Sequence, residues 1–244
     1  MTAVEHSAWI ELAGGQALWD ELSGGFGIKP LLAGNTGTQM GGWFKRPVTS
    51  LADLAGLNFR MPGLGGEVWR RLGMNVVNLP GSQILAALDA GTLDGTDWVG
   101  PWNDTEWGFQ RVATNYYTPS LSEGGAALTL GVGRRIWDAL PAADQAIFRA
   151  ACGAESALMM AEFHLNNARA LAALKAEGRV TIRPFPNDVI ARIGEVAPDV
   201  AASAATDDLG RRILASYLGA RDAMRPWTQL AEPEFIAARQ RILG

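Results

Sequence analysis

An α/β fold with a helical C-terminal region is what this 244-residue sequence predicts. Between Leu57 and Pro101 short apolar runs alternate with helical segments in the order β-α-β-α-β, which implies a sheet covered by helices on its faces. From Leu140 onward the punctuation by glycine and proline thins, and long Ala-rich helical stretches take over.

The opening segment reads as one helix, with Ala8, Trp9, Leu12, Ala13 and Leu18 on a rough helical face. Ser23-Gly24-Gly25 breaks it, and Phe26 to Leu32 resembles a strand entering a loop at Ala33-Gly34. Glycines crowd Gly34 to Trp43, a density that suits either close approach to a ligand or a flexible surface hairpin. Thr49 to Leu54 is a capped helical turn, and Leu57 to Arg60 is a strand stopped at Pro62. Gly63, Gly65 and Gly66 then read as a loop leading into a helix at Glu67 to Leu72. Free N–H groups and the dipole at a helix start favour an anion, so Arg60 and this loop suit one carboxylate together. The loop lacks the G-x-G-x-x-G spacing of a nucleotide fingerprint. Val76 to Pro80 is the next strand, and Gly81-Ser82-Gln83 caps a helix from Ile84 to Asp89. Gly91 to Pro101 is a turn, a strand and a stop. A long helix follows from Pro141 to about Glu177, then a short strand at Val180 to Pro186 and two or more further helices.

Composition bounds the function. A content of 48% apolar and 19% charged residues is ordinary for a globular chain and argues against disorder. The formal charge of -4 leaves no basic footprint for nucleic acid. A single cysteine, Cys152, excludes an internal disulfide and a cysteine metal cluster, and its apolar neighbours suit a buried structural thiol. His6 and His164 lack ligand spacing. No apolar stretch approaches the ~20 residues that cross a bilayer. The first residues show neither the basic nor the apolar region of a secretion signal, so the chain as written is expected to carry none.

Four side chains carry the chemistry. Gln39, Arg60 and the pair Asp97-Trp98 each end a short apolar or glycine-rich run, where an α/β protein presents residues to a cleft. A guanidinium offers a planar two-donor fork to a carboxylate, while Asp97 and the amide oxygen of Gln39 are hard ligands for a cation. Plainer readings compete for Arg60, as a surface ion pair, and for Asp97, as a cap for the turn at Gly100-Pro101; a further acidic candidate, Glu123, competes with a cap for Gly124-Gly125. Trp43, Trp102 and Trp107 are candidates to line a cleft, against core packing for most of the nine tryptophans. No Gly-x-Ser-x-Gly elbow, Cys/His pair or histidine metal motif marks an enzyme.

Motifs across the chain resemble the solute receptors of tripartite ATP-independent periplasmic (TRAP) transporters, in their 2-oxo acid and 2-hydroxy acid (DctP-like) branch. They run from Gly34-Asn35-Thr36-Gly37 with Gln39 and Gly41-Gly42-Trp43-Phe44, through Asp53-Leu54-Ala55-Gly56-Leu57 with Phe59-Arg60, to Gly91-Thr92-Leu93-Asp94 and Trp98-Val99-Gly100-Pro101. Tyr116-Tyr117, Glu123-Gly124-Gly125, Trp137 to Pro141 and Arg183-Pro184-Phe185-Pro186 continue the match. The resemblance implies a two-lobed periplasmic-binding-protein-like fold with an incomplete first lobe. Residues 1–32 would be a remnant of that lobe, 33–98 the second-lobe core carrying the site, 99–133 a return across the hinge, and 134–244 the second-lobe completion with C-terminal helices.

The same resemblance implies roles. Arg60 pairs with the substrate carboxylate; Gln39 and Asp97 ligate a cation, sodium or calcium, which Trp98 joins through its backbone carbonyl and Glu123 through its carboxylate. Gln39 and Trp98 also face the substrate, a pyruvate- or lactate-like monocarboxylate. Asp97 stands where glutamate is the common residue, one methylene shorter, which shifts the ion or admits a water. Implied partners are the TRAP permease subunits in the membrane and a second copy of the chain through its C-terminal helices. Met1 matches the interior of the first lobe, so a signal and about a third of a receptor of this type are expected upstream. Two other classes compete: a cytoplasmic ligand-sensing domain, and a metal-dependent enzyme using Asp97 and Glu123.

Overall fold

The computed structural model describes residues 1–243. Its elements are α1 (Ala3–Leu12), α2 (Gly15–Gly24), β1 (Ile28–Asn35), β2 (Gly42–Phe44), β3 (Asn58–Arg60), α3 (Gly63–Arg71), β4 (Asn75–Val77), α4 (Gly81–Asp89), β5 (Gly95–Thr96) and α5 (Pro101–Trp107). They continue with β6 (Asn115–Thr118), β7 (Ala127–Gly133), α6 (Arg134–Ala139), α7 (Ala142–Glu177), β8 (Thr181–Pro184), α8 (Asn187–Ala204) and α9 (Asp208–Leu243). The expected α/β fold with a helical C-terminal region is present.

Six strands form one mixed sheet in the order β4-β3-β5-β2-β6-β8. Side chains alternate across a sheet with a period of two, so neighbours on one strand serve opposite cores. Trp43 and Tyr116 point to one face, where they stack 3.8 Å apart and pack with Ile84 and Leu88 of α4 and Leu174 of α7. Phe44 and Tyr117 point to the other, against Phe59, Trp69 of α3, Phe185 and Val189 of α8. Truncating a buried ring such as Phe44 to alanine costs about 3–5 kcal/mol.

A separate antiparallel pair, β1 with β7, runs from Ile28 opposite Gly133 to Asn35 opposite Ala127. The strand expected at Phe26 to Leu32 thus extends to Asn35, across the 32/33 division. β7 had no signal in the sequence, since its Ala-Leu-Thr-Leu-Gly-Val-Gly is exposed along most of its length and gains its regularity from β1.

Two boundaries differ from expectation. The opening helix is two helices, because Gly14 takes a left-handed φ of 86° between them and leaves Leu12 on the surface. The glycines after Arg60 are not a loop: α3 begins at Gly63, and Gly65 and Gly66 pack inside it where Cβ atoms would meet Met61. The capped turn at Leu51–Leu54 takes its expected form, with Ser50 and Asp53 closing a capping box. At the far end, the Thr228 hydroxyl donates to Glu5 at 2.6 Å and ties α9 to α1. Among the described residues no helix is long and apolar enough to cross a membrane.

Candidate functional site

Arg60 ends β3 and Asp97 directly follows β5, and these strands are parallel neighbours with Arg60 opposite Thr96. The main chain couples them further: the Asp97 N–H donates to the Arg60 carbonyl at 2.9 Å. The two side chains are thereby carried to one end of the sheet, the position where an α/β fold presents ligands.

The Arg60 guanidinium is buried and held by carbonyls. Nε donates to Leu79 O at 3.1 Å and Nη1 to Asp97 O at 3.2 Å, while its plane lies 4.9 Å from the centre of the Trp98 ring. None of these contacts comes from the start of α3. Burial pulls its pKa down, and the negative charges of Asp97 and Glu123 oppose the shift. An arginine held this way stays charged and keeps donors free for an anion.

Gln39 sits before β2 in a loop cross-braced to the β1–β7 end. Its Nε2 donates to the Thr36 hydroxyl at 3.0 Å, and that oxygen accepts from the Ala126 N–H at 3.0 Å. Gly125 passes so close that a Cβ there would stand 2.6 Å from Gly37 O, so only glycine lets the Glu123–Ala126 segment lie against the Gln39 loop. The chain brings Glu123 to within electrostatic reach of both Arg60 and Asp97 in this way.

Two acceptors at this end of the sheet are buried without partners: Gln39 Oε1 and Asp97 Oδ1. Buried polar atoms are almost always hydrogen-bonded, so such a pair calls for an explanation. The Asp97 carboxyl is pushed well above its usual range, first by burial and then by Glu123 and Asp104, with Arg60 opposing. Burial raises Glu123 as well. Excess acidic charge, two unsatisfied oxygens and an amide donor set fit a hard cation. Among the described residues no group of three or more His, Cys, Asp or Glu side chains is placed for a metal, so a cation here would depend on the amide and on main-chain oxygen in addition to carboxylates.

A cleft of about 800 Å³ reaches Gln39 beside Thr36, Thr38 and Thr118, and a smaller one of about 190 Å³ reaches Glu123 beside Asn35 and His6. Neither is lined by Arg60 or Asp97, both buried at the strand ends.

The tryptophans expected at a cleft divide. Trp43 is fully buried in the core; Trp102 packs edge-on to Phe163, and Trp107 edge-on to Trp98. Asp97 does not cap the Gly100 turn. That role belongs to Asp104, which sequence reading passed over: its Oδ1 accepts from the N–H groups of Val99 and Gly100, and its Oδ2 from Trp43 Nε1 and the Tyr116 hydroxyl. A partner 61 positions away leaves no local signal. Glu123 caps nothing in the hydrogen bonds described. Cys152 is buried with its thiol pKa pushed up by burial, an inert environment.

The model of the bacterial extracellular solute-binding protein family 7 (DctP) matches residues 1–207. A monocarboxylate 2-oxoacid-binding periplasmic protein of Nostoc sp. is 34% identical over 233 residues, covering 95% of this chain. The chain spans 64% of that relative's length. Among solved structures, a TRAP transporter solute binding protein from Bordetella bronchiseptica RB50, a mixed-occupancy dimer with copurified calcium and picolinate, superposes with a TM-score of 0.93 at 35% identity. That match covers 99% of this chain and 73% of the other. A TRAP periplasmic solute binding protein from Pseudoalteromonas atlantica T6c, with bound sodium and pyruvate, has a TM-score of 0.91 at 36% identity over 97% of this chain and 72% of its own. With the family match over most of its length and this likeness in fold, the chain belongs to the bacterial extracellular solute-binding protein family 7.

Proposed function

We propose that this protein is a receptor that binds a small 2-oxo or 2-hydroxy monocarboxylate together with sodium or calcium, for uptake by a TRAP permease. The observation that carries the reading is the pair of unpartnered buried oxygens, Gln39 Oε1 and Asp97 Oδ1, beside the charged, carbonyl-braced Arg60. Relatives with calcium and picolinate, or sodium and pyruvate, support it.

In this reading Gln39, Asp97, Glu123 and the Trp98 carbonyl hold the cation, and Arg60 takes the substrate carboxylate, with Gln39 and Trp98 against the substrate. When bound, the cation supplies the charge that lets one carboxylate oxygen and the adjacent oxo or hydroxyl oxygen be chelated. The protein's part is to desolvate that chelate and fix its orientation; no bond to the substrate forms or breaks, so the role is not enzymatic. The β1–β7 pair and the six-stranded sheet would belong to different lobes; against divisions at 1–32, 33–98, 99–133 and 134–244, β1 runs on to Asn35 and β6, within 99–133, joins the six-stranded sheet. The periplasm is the proposed location, following the Nostoc relative. α9 exposes Trp227, Leu230, Phe235 and Ile236, and this apolar material supports a second copy as a further partner.

The deciding experiment is calorimetric titration of the whole protein with pyruvate, with and without calcium or sodium. Cation-dependent binding supports the proposal; turnover of a 2-oxo acid would favour an enzyme instead.

A further inference from the structure

Asp104 lies outside the proposed ligand set, in the first turn of α5, and is 1% exposed. Its Oδ1 accepts from the main-chain N–H groups of Val99 at 3.0 Å and Gly100 at 2.9 Å, the two residues that follow Trp98. Its Oδ2 accepts from the Trp43 indole at 2.8 Å and the Tyr116 hydroxyl at 2.7 Å. Trp43 lies on β2, whose first residue, Gly42, is close behind Gln39 in the chain, and Tyr116 on β6 pairs with Trp43 in the sheet. The Met40 N–H, next to Gln39, donates to the Val99 carbonyl at 3.0 Å and closes the same span.

We infer that Asp104 is a positioning residue for the cation site: by joining Val99 and Gly100 to Trp43 and Tyr116, it fixes the spacing between Gln39 and the Asp97-Trp98 pair. The inference rests on the receptor reading above. The residue type follows from the geometry. Four donors converge on one buried position, and an ionised carboxylate is the side chain that is acceptor-only with about four lone-pair sites. Asparagine would turn an amide N–H₂ toward the Trp43 N–H, donor against donor. An apolar residue would leave all four donors buried and unpaired, whereas packing alone would make no demand for acceptors on both sides of the residue.

The test compares the whole protein with its Asp104→Asn variant, titrating calcium at fixed pyruvate and following bound pyruvate by calorimetry. Loss of a group that orients metal ligands typically weakens metal affinity about 10–100-fold. The calcium midpoint is expected to rise by that factor, and pyruvate affinity to recover at saturating calcium. Tyr116→Phe removes one of the four donors and is expected to shift the midpoint the same way by less, which keeps the test open if the amide variant does not fold. Val196→Ala, a core truncation on the opposite face of the sheet, is expected to lower the melting temperature with the calcium midpoint unmoved. An unmoved midpoint in the folded Asp104 or Tyr116 variant overturns the role, as does an equal shift in Val196→Ala. A parent protein that binds neither calcium nor pyruvate removes the receptor reading itself, and this role with it.

Discussion

Arg60 bonds to Asp97 through the main chain and not through the carboxylate: its Nη1 donates to the Asp97 carbonyl at 3.2 Å, and Asp97 Oδ1 has no partner. A direct ion pair would have spent both groups on each other. This arrangement leaves Arg60 donors and Asp97 Oδ1 unspent on each other, as the proposed binding of an anion together with a cation would require.

Replacing Arg60 by alanine should weaken pyruvate binding by about 2–5 kcal/mol, because one partner of a desolvated charge pair is lost. Arg60→Lys should bind poorly as well, since an ammonium cannot reproduce the two-donor fork or the brace to Leu79 and Asp97. Calorimetry on both variants checks this, and an unchanged dissociation constant for either would refute the assignment.

Gln39→Ala and Asp97→Ala should each lower pyruvate affinity at fixed calcium, and the wild-type protein should lose its affinity in metal-stripped, sodium-free buffer. Asp97→Glu lengthens the arm by one methylene and should alter the preference between sodium and calcium more than the total affinity. Competition titrations with the two ions measure that ratio; binding indifferent to either ion would count against the chelate.

The acidic cluster sets a pH dependence whose sign follows from its shifts. Burial raises Asp97 and Glu123, and it raises Asp104 to about 6 against four hydrogen bonds. A carboxyl whose folded pKa exceeds its unfolded one stabilises the fold while protonated, and that contribution is lost as pH rises through the folded value. For Asp104 the loss falls between 3.8 and about 6. Metal-free protein should therefore melt lower near pH 7 than near pH 5, roughly. In the proposed reading a cation would take the place of the proton on Asp97, so calcium should raise the melting temperature more at the higher pH. Scanning calorimetry across that range, with and without calcium, tests it; a calcium gain independent of pH would be the contrary result.

Gly81 offers a more local probe. A Cβ there would stand 2.7 Å from the tip of the Trp98 indole, whose ring in turn lies under Arg60. Gly81→Ala should tilt that ring and cost several-fold in pyruvate affinity, while the start of α4 tolerates alanine and the melting temperature changes little. Tryptophan fluorescence and calorimetry on one sample separate the two effects. A fall in melting temperature without a change in affinity would place Trp98 among the packing residues instead.

What the sequence determined by itself was whatever a short window encodes. Pro62 and Pro101 punctuate the segments that carry Arg60 and Asp97, and the alternation of apolar runs with helices from Leu57 to Pro101 specifies the parallel core of the sheet. The motifs from Gly34 to Pro141 carry the family. The split of Trp43 and Tyr116 from Phe44 and Tyr117 follows from a period of two once the strands are known. Tertiary structure alone decided the rest. β7 is a strand because β1 pairs with it, and its own side chains give no alternation of burial. The nearness of Arg60 to Asp97 depends on strand order, and that of the Glu123–Ala126 segment to the Gln39 loop on the close pass of Gly125 over Gly37. Asp104 is silent in sequence, because a buried carboxylate is defined by the donors around it, and two of those lie on strands that only the folded sheet brings alongside.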